Sequence, residues 1–467
     1  MKLKHIISLL SIVIGFCLFD KSPRNGLDNI FIIPLTYGIA TYVWGNIYEI
    51  KKGFGGYIFL LISIIRYLVQ PILIVATDGQ LNPRMPNALA SSYRIAIIIY
   101  ILECVVSFYT MSKYYDKEKK LFLCDKSYKS LPIYQFNIIG WLFIAMIMSI
   151  LLYRIGIWLP ELKILGVKEG IDKGLVLDAS LFNVMKGIFF VYFLYKAKIK
   201  RNRTFLIFAI VLGLFNFLSY FGQNRSFILE TAITTIFVFI QSYPQYKKRI
   251  ISFFTPFALL IVVIMYIKKQ FGVETQADFN TLDDTVGIVE YSNIIEEYVN
   301  GLWTVARSYQ ASINLPIELS FSALIKDFFD GLQSLRDIPY LKTEIFPLMD
   351  NLLSSSDIFK LSLRTPFEYA QMLSFSGGLF IIGGTILGWP LMVLGNYLMI
   401  RLLVRMDVRS IYTKNLYYKY IYIWMSCLMG LIHCYCMQTI IFCWSKYILF
   451  FWLILFINNK AFKKNGK

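Results

Sequence analysis

Apolar stretches of bilayer length recur along nearly the whole of this chain, and they dictate most of its fold. Candidate spans run at roughly 5–19, 28–48, 54–76, 95–112, 133–153 and 179–195, and again at roughly 204–221, 227–243, 250–267, 375–400, 420–437 and 440–457. A hydrocarbon layer about 30 Å thick takes about 20 helical residues to cross. It offers no water to backbone N–H and C=O groups, so segments that satisfy themselves internally must be helices. The expected fold is therefore an all-α polytopic integral membrane protein with about 12 transmembrane helices. Composition agrees, with 57% hydrophobic residues, 17% aromatic residues and a mean hydropathy of +0.58. The run from His5 to Phe19 follows Lys2 and Lys4 as a signal peptide would. No small-residue cleavage site comes after it, so it reads as the first span.

One interval cannot cross. Residues 268–374 hold Asp278, Asp283, Asp284, Glu290, Glu296, Glu297, Asp327, Asp330, Asp337, Glu344, Asp350 and Asp357. Each such charge at a span centre costs about 2.5–3.5 kcal/mol. The interval reads as one large, aqueous-facing extracytoplasmic loop between a nine-helix membrane portion (1–267) and a three-helix one (375–467). Within it, Ile288, Tyr291, Ile295, Tyr298, Leu302, Val305 and Tyr309 recur at three- and four-residue steps, which predicts one amphipathic helix. Leu324, Ile325, Phe328, Phe329 and Leu332 make a second, shorter stripe. Both helices should lie flat on the membrane or cap a cavity. Arg307 falls on the polar back of the first, beside Asn300 and Thr304, where a solvated position is expected.

Charge placement sets the orientation. With the N-terminus in the cytoplasm and strict alternation, more than half of the 47 lysines and arginines fall in short segments on one side. They include Lys51 and Lys52, the lysines from Lys113 to Lys129, the cluster Lys196–Arg203, Lys247–Arg249, Arg401–Lys419 and the C-terminal lysines. That is the positive-inside pattern, with both termini cytoplasmic. The net charge of +18 thus reflects topology, and no nucleic-acid partner is expected. Six of the seven cysteines fall in apolar segments, which predicts neither disulfides nor thiolate metal sites. The two histidines are His5, at the cytoplasmic end, and His433, deep in the eleventh span. Serine–histidine hydrolysis and di-histidine metal chemistry on the outer face therefore lack their parts, and no metal or other cofactor is called for. No P-loop or dinucleotide fingerprint occurs.

Three groups of residues stand out. Phe221 to Ser226 form a tight hairpin into the eighth span, with Arg225 at a helix N-terminus beside Asn224 and Ser226. A cation there opposes the helix dipole unless an anion offsets it, and a guanidinium beside free N–H groups suits phosphate. Headgroup anchoring is the plain alternative. Arg364 likewise precedes a helix start, where Thr365, Pro366 and Glu368 spell a capping box. Finally, Arg66, Glu103 and Lys186 are charges inside spans, explained most simply by Glu103 pairing with Arg66 or Lys186. Gly377–Gly378 and Gly383–Gly384 thin the tenth span for close packing or bending.

The layout resembles the bacterial O-antigen and capsular repeat-unit polymerases, the Wzy family. The likeness runs over nearly the full length. It rests on about twelve spans, the hairpin Gly222-Gln223-Asn224-Arg225-Ser226, the late large external loop and the glycine-rich span after it. The resemblance implies a metal-independent glycosyltransferase of the bacterial cytoplasmic membrane that extends undecaprenyl-pyrophosphate-linked oligosaccharides on its outer face, in either lipopolysaccharide or capsule assembly. It implies membrane lipids as surroundings and a flippase and chain-length regulator as partner proteins. Arg225 and Arg364 would then stabilise the pyrophosphate leaving group, and Arg307, Asn224 and Ser226 would bind substrate. A flippase for the same lipid-linked sugars, or another membrane glycan transferase, is the alternative.

Overall fold

A computed structural model of the chain describes residues 2–80, 87–124, 140–142, 144–149, 174–218, 225–256, 286–313, 315–332, 335, 340–363 and 373–465. Among these residues the chain forms helices and turns, with no strand. In chain order the principal helices are α1 (Leu3–Phe19), α2 (Ile32–Trp44), α3 (Phe54–Ala76), α4 (Ala90–Cys124), α5 (Gly174–Lys200), α6 (Arg203–Leu218) and α7 (Arg225–Ser242). They continue as α8 (Val286–Val299), α9 (Leu302–Ser312), α10 (Ile317–Gly331), α11 (Ser355–Leu363), α12 (Phe375–Tyr412), α13 (Leu416–Gly430) and α14 (Met437–Asn458). Four of them, α3, α4, α12 and α14, are long and apolar enough to cross a membrane. Large apolar side chains such as Phe16, Leu61 and Trp452 are bare on the outside of the helices, as a hydrocarbon solvent requires. The expected spans at roughly 133–153 and 250–267 lie partly outside the described residues.

Two apolar clusters hold the helices together. The first joins α2, α3, α4, α9 and α12 around Tyr37, Phe59, Tyr100, Phe108, Trp303 and Phe380. The second joins α5, α6, α7, α13 and α14 around Phe190, Ala209, Phe239, Tyr420 and Phe451. A buried aspartate stitches the start of α3 to the end of α12. Asp407 accepts the backbone N–H groups of Gly53 (2.7 Å) and Gly56 (3.1 Å) and the hydroxyls of Ser426 (2.7 Å) and Tyr115. The first-turn donors of α3, which no helical carbonyl can reach, are thus satisfied by a side chain from another helix.

Two sequence expectations need correction. The periodic stretch from Ile288 to Tyr309 is not one helix, because α8 and α9 are separated by Asn300, whose φ is +47°. Asn tolerates this left-handed conformation better than other side-chain-bearing residues. The chain turns sharply there, and α9 packs between α4 and α12 with Trp303 to Ala306 fully buried. It lies neither flat on a surface nor over a cavity mouth. Likewise α12 is broken at Gly384, with φ +62°. Its first limb, Phe375 to Gly383, folds back on the second. Asn396 donates to the Ser376 hydroxyl (3.1 Å), and the rings of Phe380 and Trp389 meet edge-on at 5.1 Å. In a continuous helix, residues twenty apart would be about 30 Å apart. The glycines of this region therefore serve both packing and bending.

Candidate functional site

The charges expected inside the spans form the centre of a buried polar knot. A π-helical turn at Ile65–Val69 interrupts α3 and points both Arg66 and Tyr67 inward. Arg66 Nε and Nη2 donate to the two oxygens of Glu103 on α4, at 2.9 and 3.3 Å. Its guanidinium also stacks on the Tyr100 ring, 4.3 Å from the centroid. The carboxylate takes further hydrogen bonds from Tyr67 (2.8 Å) and from Ser376 at the start of α12 (2.6 Å). His433 Nδ1 is 3.4 Å from the same carboxylate. Glu103 therefore pairs with Arg66, one of the two expected partners. Lys186 lies instead beside the Phe215 ring.

This knot grips the tip of the α8–α9 hairpin. The remaining Arg66 nitrogen, Nη1, donates to the carbonyls of Val299 (2.5 Å) and Asn300 (2.7 Å), which lie at the negative end of the α8 dipole. Asn300 in turn donates to the carbonyls of Cys434 (2.5 Å) and Leu373 (3.4 Å). Glu296 completes the clasp by accepting from Gln70 Nε2 on α3 (2.5 Å) and from the Thr304 backbone N–H (3.0 Å) that opens α9. A Cβ on Gly301 would overlap the ends of the Gln70 and Glu296 side chains, so a larger residue there would have to displace the hydrogen bond between them. From Ala90 to Glu103 is about 20 Å of helix, so the tip reaches well into the bundle.

Burial pushes the Glu296 carboxyl up to about 7, against the opposing pull of the Thr304 N–H, Arg66 and Gln70. A raised carboxyl pKa weakens the docked tip as the proton leaves. Docking stability is full below the ordinary glutamate value, falls as pH rises towards about 7, and is flat above it. The slope cannot exceed one proton, about 1.4 kcal/mol per pH unit. Glu296→Gln should abolish this slope, read as protection of the 286–312 backbone against hydrogen exchange between pH 5 and 7.5. A slope unchanged in that variant would assign the titration to another group.

Arg307 is the second feature, and its position contradicts the expectation of a solvated face. It is only 6% exposed. Its Nη2 donates to the Ser362 carbonyl at the end of α11 (3.0 Å), and its Nη1 to Gln310 Oε1 (3.4 Å). That same Gln310 oxygen accepts the backbone N–H of Leu89 (3.0 Å), immediately before α4. Arg307 Nε has no hydrogen-bond partner, and no carboxylate among the described residues pairs with the guanidinium. Burial pulls its pKa below the ordinary arginine value, with Tyr93 opposing. A buried cation and the N-terminus of a long helix thus share one neutral oxygen, an arrangement that favours an incoming anion.

The other sequence candidates are placed only in part. Helix α7 is described from Arg225 onward, with Ser226 the next residue. Asn224 and Arg364 lie outside the described residues. Between α1 and α2, Asp28 pairs with Arg94 at 3.1 Å. An apolar crevice lined by Val184, Tyr420, Trp424, Tyr447 and Phe451 contains none of the charged groups above. The sequence reading missed Gln70, Glu296, Ser376 and Asn396. The dipeptide Asn300-Gly301 was the available signal, since Asn-Gly marks turns and placed one between α8 and α9. No protein-family model matches the chain, and neither does any curated protein or solved structure.

Proposed function

We propose that the chain is a membrane polymerase that joins undecaprenyl-pyrophosphate-linked oligosaccharide repeat units into O-antigen or capsular polysaccharide on the outer face of the bacterial cytoplasmic membrane. The acceptor hydroxyl oxygen bonds the anomeric carbon of the donor chain as the bond to undecaprenyl pyrophosphate breaks, with loss of the hydroxyl proton. The observation that carries this reading is Arg307. It is a buried guanidinium with a spare N–H and no carboxylate partner among the described residues, and it shares the Gln310 oxygen with the Leu89 N–H just before α4. A pyrophosphate leaving group gains negative charge as the bond breaks, and donors already in place cost nothing to reorganise.

Arg364 follows by two residues the Ser362 whose carbonyl Arg307 holds, so the proposal groups Arg307 and Arg364 in one anion clamp. Arg225, on α7, is proposed as a further contact for the lipid-linked donor. The test is a strain lacking the protein. Single repeat units should still reach their final acceptor on the cell surface, while long chains vanish. Loss of the single units as well would favour a flippase and sink the polymerase reading.

A further inference from the structure

Helix α10 wears its polarity inside out. Beyond its first turn, the exposed positions are Phe321, Leu324 and Phe328, with Ile317 opening the same row. They recur at four-, three- and four-residue steps, which is one continuous face. Phe321 and Ile317 are 62% and 72% exposed. The charges face the other way. Asp327 is fully buried and accepts the backbone N–H (3.0 Å) and hydroxyl (2.5 Å) of Ser355 at the start of α11. Lys326 is turned inward to Asp330 (3.2 Å) and Asp350 (3.4 Å), and Asp330 also accepts from Gln438. A helix bathed in water does the reverse, burying its phenylalanines and solvating its lysine.

The neighbour of α10 indicates what covers that face. Its C-terminal end is fastened side-on to α14, a helix long and apolar enough to cross a membrane. Ser445 donates to the Gly331 carbonyl at 2.7 Å, and a Cβ on Gly331 would stand 2.6 Å from the Ile441 side chain. Further along α14, Leu449, Trp452, Leu453 and Phe456 are exposed. Helix α10 therefore packs against a candidate span, and both helices carry bare apolar side chains, with no exposed charge on α10 beyond Glu318 in its first turn. Hydrocarbon is the solvent that makes both faces favourable.

We propose that the Ile317–Phe321–Leu324–Phe328 face of α10 is a bilayer contact, packed against phospholipid acyl chains. The part of the polar interval that it occupies is then embedded in the membrane, with its charges turned to a protein interior, and does not face water. This holds whatever reaction the protein performs. The test is Phe321→p-benzoylphenylalanine and Phe328→p-benzoylphenylalanine in the full chain, in vesicles of phosphatidylethanolamine and phosphatidylglycerol. Irradiation should give lipid-adduct peptides at both positions as the main products by mass spectrometry. A cross-link to a second copy of the chain, or unreacted probe with no lipid adduct, would overturn the proposal. As an independent check, Phe321→Leu should integrate normally while Phe321→Asp should reduce membrane-integrated protein several-fold. Equal yields of the two would also overturn it.

Discussion

Replacing Arg307 by glutamine is expected to slow chain extension by two to three decades while the protein accumulates in the membrane at its normal level. The rate loss follows from removing one preorganised, charge-assisted donor to a leaving group, about 3–4 kcal/mol by comparison with oxyanion donors. The normal abundance follows from a different argument. Arg307 is buried with no paired carboxylate among the described residues, so its charge is a burden on the folded state that glutamine removes. Glutamine keeps an N–H for the Ser362 carbonyl and much of the side-chain volume. Arg307→Lys should recover only part of the rate, because a point ammonium cannot reproduce the fork that reaches Ser362, Gln310 and an anion together. Short chains with unchanged abundance in both variants, measured by gel separation of surface glycans, would support the clamp. Normal chain lengths in Arg307→Gln would remove Arg307 from the reaction.

Arg66→Ala should have the opposite profile, with a stability loss of about 3–5 kcal/mol, enough to deplete the folded protein. The substitution leaves Glu103 charged and buried, and it orphans the carbonyls of Val299 and Asn300 at the hairpin tip. A buried pair replaced as a whole is often neutral, so the double variant Arg66→Leu with Glu103→Leu separates the two costs. It should recover the penalty of the lone carboxylate and still show faster hydrogen exchange over residues 286–312. Thermal denaturation in detergent reads the first effect and exchange the second. A double variant with wild-type protection of that segment would mean that Arg66 does not hold the hairpin.

The sequence carried the coarse architecture because apolar length is a local property. The ends of α1 and α3, expected at roughly 5–19 and 54–76, fall within a few residues of the observed Leu3–Phe19 and Phe54–Ala76. The pairing of Arg66 with Glu103 was also legible, since two opposite charges in apolar spans have few places to go. The hairpin at Asn300 was not read, although its Asn-Gly dipeptide was in plain view. Apolar periodicity continues through Leu302 and Val305 because α9 is itself a helix, so a count of three- and four-residue steps runs across the turn. Glu296 could not be singled out among the fifteen acids of the interval, because its role depends on Gln70, far away in sequence. Arg307 was identified as a candidate but placed on a solvated face. Its burial depends on the packing of α9 between α4 and α12, which no local pattern encodes.

The most direct measurement is reconstitution. The purified protein in vesicles, given only undecaprenyl-pyrophosphate-linked repeat units at its outer face, should produce a ladder of longer lipid-linked chains. One undecaprenyl pyrophosphate should be released for each unit added, and Arg307→Gln should suppress both readouts by the same factor. Transfer of intact single units across the bilayer without any ladder would contradict the account and identify a transporter.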